Sequence, residues 1–292
     1  MHFPAYKASL ALTLACLCAS AWAGEIVSDK LDSPILGRSL PFTIYLPDGY
    51  YESFDKFPVV YLLHGSGGDE HTWVAYAGAR ETLDGLIRRR EIAPVIAVMP
   101  AGGSSWWIDG QIEKMQLALR MDLIPYIEKR YEAKSDRGHR AVAGISMGGF
   151  GALNLALSHP ELTCAAGLLS PAAYAQPPKK SSAHSNTGQF AKDGQFDPAR
   201  WSAQSYPALL AGYKAQKQIV PMYISGGDQD REVTPAMNAN LFEAIYAIQP
   251  TQVKLRVVDG AHEWMTFRDA LPEALKYIDR QCGFNGHRKP MA

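Results

Sequence analysis

The chain has 292 residues, 47% of them hydrophobic and 20% charged, which is enough apolar content to bury a sizeable core. Lysine plus arginine and aspartate plus glutamate both number 29, so the formal net charge is zero. That balance, without any block of like charge, argues against the basic footprint of a nucleic-acid binder or a membrane-surface protein.

The N-terminus reads as a targeting segment. Lys7 supplies a positive start, "SLALTLACLCASA" an apolar run of signal-peptide length, and Ala21 and Ala23 the small-x-small pair that precedes cleavage. The expectation is a signal peptide over 1–23, cleaved after Ala23, and one exported domain over 24–292, periplasmic or secreted. The apolar run is shorter than the ~20 residues of a spanning helix. Thr13 stands where a lipid anchor on Cys16 would want an aliphatic residue. Cys16 and Cys18 leave with the signal. Cys164 and Cys282 remain in a compartment where disulfides persist, either as one bridge or as two buried thiols.

Along the mature chain, "LPFTIYLPDGYY" alternates Phe42, Ile44 and Leu46 with polar or half-exposed neighbours and reads as an edge strand. Short, nearly continuous apolar runs follow at Val59–Leu63, Val95–Met99, Ala141–Ile145, Ala165–Leu169, Met222–Ser225 and Val253–Val258. Runs of this length look like strands buried on both faces. Helical patterns lie between them: "RETLDGLIRRR", "KMQLALRMDLIPYIEKRY" with a kink expected at Pro125, "GGFGALNLALSHP", "MNANLFEAIYAI" and "FRDALPEALKYIDRQ". Alternating strands and helices predict an α/β fold, a mainly parallel central sheet with helices on both faces. Ligands of such sheets bind at the C-terminal ends of the strands. The stretch 172–209, rich in Pro, Ser and Lys, reads as a surface loop or a lid.

Gly144-Ile145-Ser146-Met147-Gly148 fits G-x-S-x-G, a weak signal alone. Here a strand precedes it and a helix follows, which is the context of a nucleophile elbow. A serine hydroxyl at its free pKa is a poor nucleophile and needs a base. Of the downstream histidines, His159 ends the elbow helix, His184 lies in the polar stretch and His287 in the charged tail. Only His262 directly follows a strand. The acid should follow the preceding strand, where "GGDQD" offers Asp228 and Asp230. Asp230 is preferred, because the Gly226-Gly227 turn needs room before an acid can face His262. The two acids have no third ligand nearby to make a metal site. "HGSGG" after an early strand exposes backbone N–H groups, and the Ser66 N–H pairs with that of Met147 as an oxyanion donor. His64 reads as a structural holder of that loop. Trp106 and Trp107, after the next strand, are expected at the pocket rim as substrate contacts, with Asp109 holding their loop. Trp264 beside His262 is a further candidate contact.

Together these segments resemble the esterase D-like group of α/β-hydrolases, which includes feruloyl and acetylxylan esterases, S-formylglutathione hydrolases and mycolyltransferases. The resemblance covers nearly the whole mature chain, from "LGRSLPFTIYLPDGYY" through "RAVAGISMGGFGAL" to "GAHEW". It implies an α/β-hydrolase fold with Ser146, Asp230 and His262 as triad, Ser66 and Met147 as oxyanion donors, and no metal or organic cofactor. The expected activity is hydrolysis of a small-molecule or polysaccharide-linked carboxylic ester. Acyl transfer to a sugar hydroxyl would use the same residues, and a binding module that lost turnover is the non-enzymatic alternative. Trp107 stands where many relatives show tyrosine, and Met121 where many show an acid. No nucleic-acid partner is expected, and none in a membrane after cleavage; oligomeric state is open.

Overall fold

The computed structural model describes residues 23–177, 181–185 and 188–286, so the expected signal segment, Ala23 excepted, lies outside the described residues. The apolar runs form strands. In chain order these are β1 (Glu25–Ser33), β2 (Arg38–Leu46), β3 (Val59–Leu63), β4 (Ile96–Pro100), β5 (Arg140–Ile145), β6 (Ala166–Leu169), the two-residue pair β7 (Ala191–Lys192) and β8 (Gln195–Phe196), β9 (Met222–Gly227) and β10 (Val253–Val258). Among the described residues all but β7 and β8 join one sheet of eight strands, ordered β1-β2-β4-β3-β5-β6-β9-β10. β2 runs antiparallel to both β1 and β4, and the other pairings in that sheet are parallel.

The expected edge position of β2 is a correction. β1 pairs with it over nine residues and takes the edge instead. The sequence of β1, "EIVSDKLDS", carries Asp29, Lys30 and Asp32, and most of it is solvated. Those charges hide it from a search for apolar runs and suit a strand whose free side must resist pairing with other chains.

The helices are α1 (Thr72–Ala75), α2 (Ala79–Arg88), α3 (Met115–Ala118), α4 (Ile124–Arg130), α5 (Met147–Ser158), α6 (Ser182–Ser185), α7 (Pro198–Gln204), α8 (Tyr206–Gln216), α9 (Pro235–Tyr246) and α10 (Trp264–Cys282). Side chains alternate across the central strands, as the two-residue period requires. Phe42, Ile44, Tyr61, Leu63 and Val98 pack into a core shared with α3, α4, α5, α8 and α9. Tyr45, Val60, Leu62, Ala97 and Ala143 face the other way, against Trp73 of α1 and the apolar sides of α2 and α10. The kink expected at Pro125 takes another form. A π-helical turn, Leu119–Leu123, separates α3 from α4, and Pro125 falls in the first turn of α4, where a missing N–H costs little.

The stretch 172–209 is more than a surface loop, among its described residues. It contains α6, β7, β8 and α7, and leads into α8, which packs on α5. Phe190 and Trp201 are fully buried. They stack around Phe150 of α5, with Phe150 and Trp201 ring centres 5.1 Å apart. A buried ring of this kind contributes about 1.5–3 kcal/mol, so the stretch is a packed cap. Polar composition concealed it because its core rings are few and widely spaced.

Of the two readings of the remaining cysteines, the bridge is the one present: Cys164 and Cys282 are disulfide-bonded, with Cα atoms 5.3 Å apart. The bond ties the entry to β6 to the last residue of α10, away from the strand ends that carry the site.

Candidate active site

The end of β5 turns sharply into α5 at Ser146. Its backbone has φ 53° and ψ −115°, a region that costs a non-glycine residue roughly 1–3 kcal/mol. Surrounding hydrogen bonds hold it there. The Ser146 N–H donates to Leu169 O at 3.0 Å, and the Ser146 carbonyl accepts from Phe150 N at 2.9 Å and Ala172 N at 3.0 Å. Two flanking glycines make the turn possible. A Cβ on Gly144 would stand 2.1 Å from Gly148 O, and one on Gly148 would stand 2.1 Å from Leu63 O. The spacing G-x-S-x-G therefore records a crossing of three backbone segments too close for side chains.

His262 lies in the short loop between β10 and α10, and Asp230 in the loop after β9. Parallel pairing of β9 and β10 brings these loops together at one end of the sheet. His262 Nε2 is 3.0 Å from Ser146 Oγ, and His262 Nδ1 is 2.7 Å from Asp230 Oδ2. With Nδ1–H donating to the carboxylate, Nε2 is left to accept the serine proton. The other carboxylate oxygen, Asp230 Oδ1, accepts from Glu232 N at 2.9 Å and Val233 N at 2.8 Å. Burial pushes the Asp230 carboxyl up, but the His262 hydrogen bond and the Val233 and Glu232 N–H groups outweigh it, and the net direction is down. It stays an anion inside the fold. Asp228, the alternative acid, turns away and accepts from Gly260 N at 3.0 Å. The two aspartates thus point to different partners, and the described residues contain no group of three or more His, Cys, Asp or Glu side chains fit to hold a metal ion.

Ser66 and Met147 both flank Ser146. Met147 is the first residue of α5, a position whose N–H has no acceptor within its own helix. The Gly65–Gly68 loop lies against the elbow, so close that a Cβ on Gly65 would stand 3.5 Å from Ser146 Cβ. His64 is buried and ties this loop down. Its Nδ1 donates to Gly65 O at 2.7 Å, and its Nε2 accepts from Gly102 N at 2.9 Å. Burial lowers its pKa, so the ring is neutral and keeps both bonds.

The expected rim position of Trp106 and Trp107 is a correction. Both are fully buried, at 0% and 1% exposure. Positive φ values of 55° and 60° turn their loop inward. Trp106 joins the aromatic cluster of Phe150, Phe190 and Trp201 under the cap. Trp107 Nε1 donates to His64 O at 3.1 Å, so it supports the Gly65–Gly68 loop from below. Asp109 does hold this loop, accepting from Leu117 N at 2.8 Å. Met121 is exposed within the π turn and does not line the cleft.

The cleft above Ser146 encloses about 680 Å³. Trp264 lines it, as the sequence suggested. So do Tyr76, Tyr174, Arg231, Glu232 and Phe267, which sequence reasoning missed. Tyr76, Arg231, Glu232 and Phe267 lie shortly after motifs already recognised, Tyr174 opens the 172–209 stretch after β6, and all five are on a loop or helix that follows a strand end. Position at those ends was the available signal.

Residues 33–278 match the family described as "Putative esterase". Among curated proteins, the chain is 35% identical over 160 residues to an endo-1,4-beta-xylanase/feruloyl esterase of Xylanibacter ruminicola, covering 52% of this chain and 22% of that one. It is 32% identical over 140 residues to an esterase of Mycobacterium tuberculosis, covering 44% and 28%. The chain thus spans less than a third of the length of these curated relatives. Among solved structures, a ferulic acid esterase superposes with TM-score 0.77 at 26% identity, over 89% of this chain and 99% of that one.

Proposed function

We infer that this chain, which belongs to the "Putative esterase" family, is a serine carboxylesterase that acts on feruloyl- or acetyl-type esters. The observation that carries the reading is the continuous hydrogen-bonded chain from Ser146 Oγ through His262 to buried Asp230. Ser146 Oγ attacks the ester carbonyl carbon while His262 Nε2 takes the hydroxyl proton. Asp230 holds Nδ1–H and stabilises the imidazolium. The carbonyl oxygen, now an anion, accepts from the Ser66 and Met147 N–H groups. Collapse of the tetrahedral species breaks the bond to the alcohol oxygen, which leaves with the proton from His262. Water then repeats the sequence on the acyl-enzyme, releasing the acid and restoring Ser146.

The names of the relatives, a xylanase/feruloyl esterase and a ferulic acid esterase, support an aromatic acyl group and a plant-polysaccharide alcohol. Export is part of the proposal. The N-terminal segment supports it, and so does the Cys164–Cys282 bridge, since such bonds persist in oxidising compartments.

The test is intact-mass measurement after exposure to a fluorophosphonate, with methyl ferulate hydrolysis in parallel. One adduct, mapped to Ser146, is expected. Ser146→Ala should lose the adduct and about 10⁴-fold or more in kcat. An adduct on another residue, or a variant that keeps a tenth of the rate, would overturn the assignment.

A further inference from the structure

Asp230 and Glu232 stand at the two ends of one imidazole. Asp230 Oδ2 is 2.7 Å from His262 Nδ1, and Glu232 Oε2 is 4.0 Å from His262 Nε2. Among the described residues no other carboxylate comes within 4.0 Å of either ring nitrogen. The Asp230 side chain is fully buried, whereas that of Glu232 is 70% exposed and borders the cleft. An exposed ion pair at this distance adds little to stability, so attraction to His262 does not account for where Glu232 sits. The backbone does. The Glu232 and Val233 N–H groups both donate to Asp230 Oδ1, and the Val233 side chain is buried. The turn that supplies the triad acid to Nδ1 thereby delivers a second carboxylate to the Nε2 side.

That carboxylate is an uncommitted acceptor. Among the described residues it accepts no hydrogen bond, and no lysine or arginine nitrogen lies within 4.0 Å of it. A separation of 4.0 Å is too long for a direct hydrogen bond to His262. It suits one shared water with two bonds of about 2.8 Å. Nε2 is also 3.0 Å from Ser146 Oγ, the atom that carries the acyl group in the intermediate. A water between Nε2 and Glu232 Oε2 therefore lies beside the acyl carbon, with both O–H groups engaged and a lone pair free to attack.

We propose that Glu232 is the positioning residue for the water that hydrolyses the acyl-enzyme, and that it favours water over an alcohol as acceptor. This rests on the serine-esterase reading above and concerns its second half-reaction. One water proton passes to His262 Nε2 as the water oxygen bonds to the acyl carbon. The other stays on that oxygen and is held by Glu232 Oε2. The bond from the acyl carbon to Ser146 Oγ then breaks, and Oγ takes the proton from His262. Glu232 ends as it began. An alcohol has a single O–H, which His262 must receive, and its carbon stands where the second proton of water would be. Glu232 therefore has nothing to accept from it.

The experiment supplies p-nitrophenyl ferulate with methanol as a second acceptor and reads the initial ratio of methyl ferulate to ferulic acid. Both products come from one acyl-enzyme. The ratio is therefore independent of the acylation rate, of the folded fraction and of the imidazolium, which forms with either nucleophile. For Glu232→Ala the ratio should rise about tenfold, as loss of one charge-assisted hydrogen bond to water implies. Glu232→Gln keeps an acceptor oxygen in the same place and should stay within about threefold of the wild type. An unchanged or lower ratio in Glu232→Ala would overturn the proposal. So would an equal rise in the two variants, which would assign the effect to charge and not to a held water. Nitrophenol release by each variant shows that it still folds and acylates. A wild type that releases no nitrophenol would instead overturn the esterase reading, and this proposal with it.

Discussion

Asp228 and Asp230 are two residues apart and have different surroundings. Asp230 is 3% exposed, gives one oxygen to His262 and the other to two backbone N–H groups. Asp228 is exposed and closes the neighbouring loop through Gly260 N. Asp230→Asn keeps the shape but presents an amide to Nδ1, which favours the wrong imidazole tautomer, so kcat should fall about 10³–10⁴-fold. Asp228→Asn keeps an acceptor for Gly260 N and should stay within about threefold, since a neutral hydrogen bond is a modest loss at an exposed site. Ester hydrolysis by the two variants decides this, and the reverse ranking would move the acid to Asp228. Ser146, His262 and Asp230 were each legible because each follows an apolar run directly. Trp106 and Trp107 follow one too, yet point inward. Ser146 shares their positive φ, so local backbone conformation does not separate the two outcomes; packing does, with Trp106 among the rings under the cap and Trp107 Nε1 bonded to His64 O.

The elbow between β5 and α5 depends on backbone contact more than on any side chain. Gly148→Ala would place a Cβ 2.1 Å from Leu63 O, and neither backbone has room to yield. The expected cost is at least the roughly 1–3 kcal/mol of an overpacked core, together with loss of activity as Ser146 shifts. Gly212 in α8 is the contrasting case. It is exposed, and an added Cβ would meet nothing within 4 Å. Gly212→Ala should stabilise by about 0.5–1 kcal/mol through helix propensity alone. Urea midpoints of the two variants, moving in opposite directions, check both statements. A harmless Gly148→Ala would mean that the elbow is looser than its contacts imply. Elements with a strong period were legible at this scale. β1 and the cap were not, because their burial comes from pairing and from a few distant rings.

The whole molecule is a sheet between two cores, with its chemistry at the C-terminal ends of the strands and its one bridge among the described residues elsewhere. The Cys164–Cys282 disulfide closes 118 residues of chain. Removing it with Cys164→Ala and Cys282→Ala together should cost about 2–5 kcal/mol, mainly by freeing the unfolded chain. The bond does not touch the cleft, so kcat on methyl ferulate at 25 °C should be nearly unchanged while Tm drops. A drop in kcat without a drop in Tm would show that α10, which begins beside His262 and ends at Cys282, transmits strain from the bridge to the site.

By itself the sequence determined the alternation of strand and helix, the elbow and the loops from which an acid and a base could come. All of these are local, since hydrophobic period and turn chemistry act over a few residues. Strand order, the separate surroundings of Asp228 and Asp230, the inward turn of Trp106 and Trp107, the pairing of Cys164 with Cys282 and the meeting of Tyr76 with Trp264 were decided only by the tertiary structure. Each is a contact between segments far apart in the chain, and its energy depends on distances that no single segment contains.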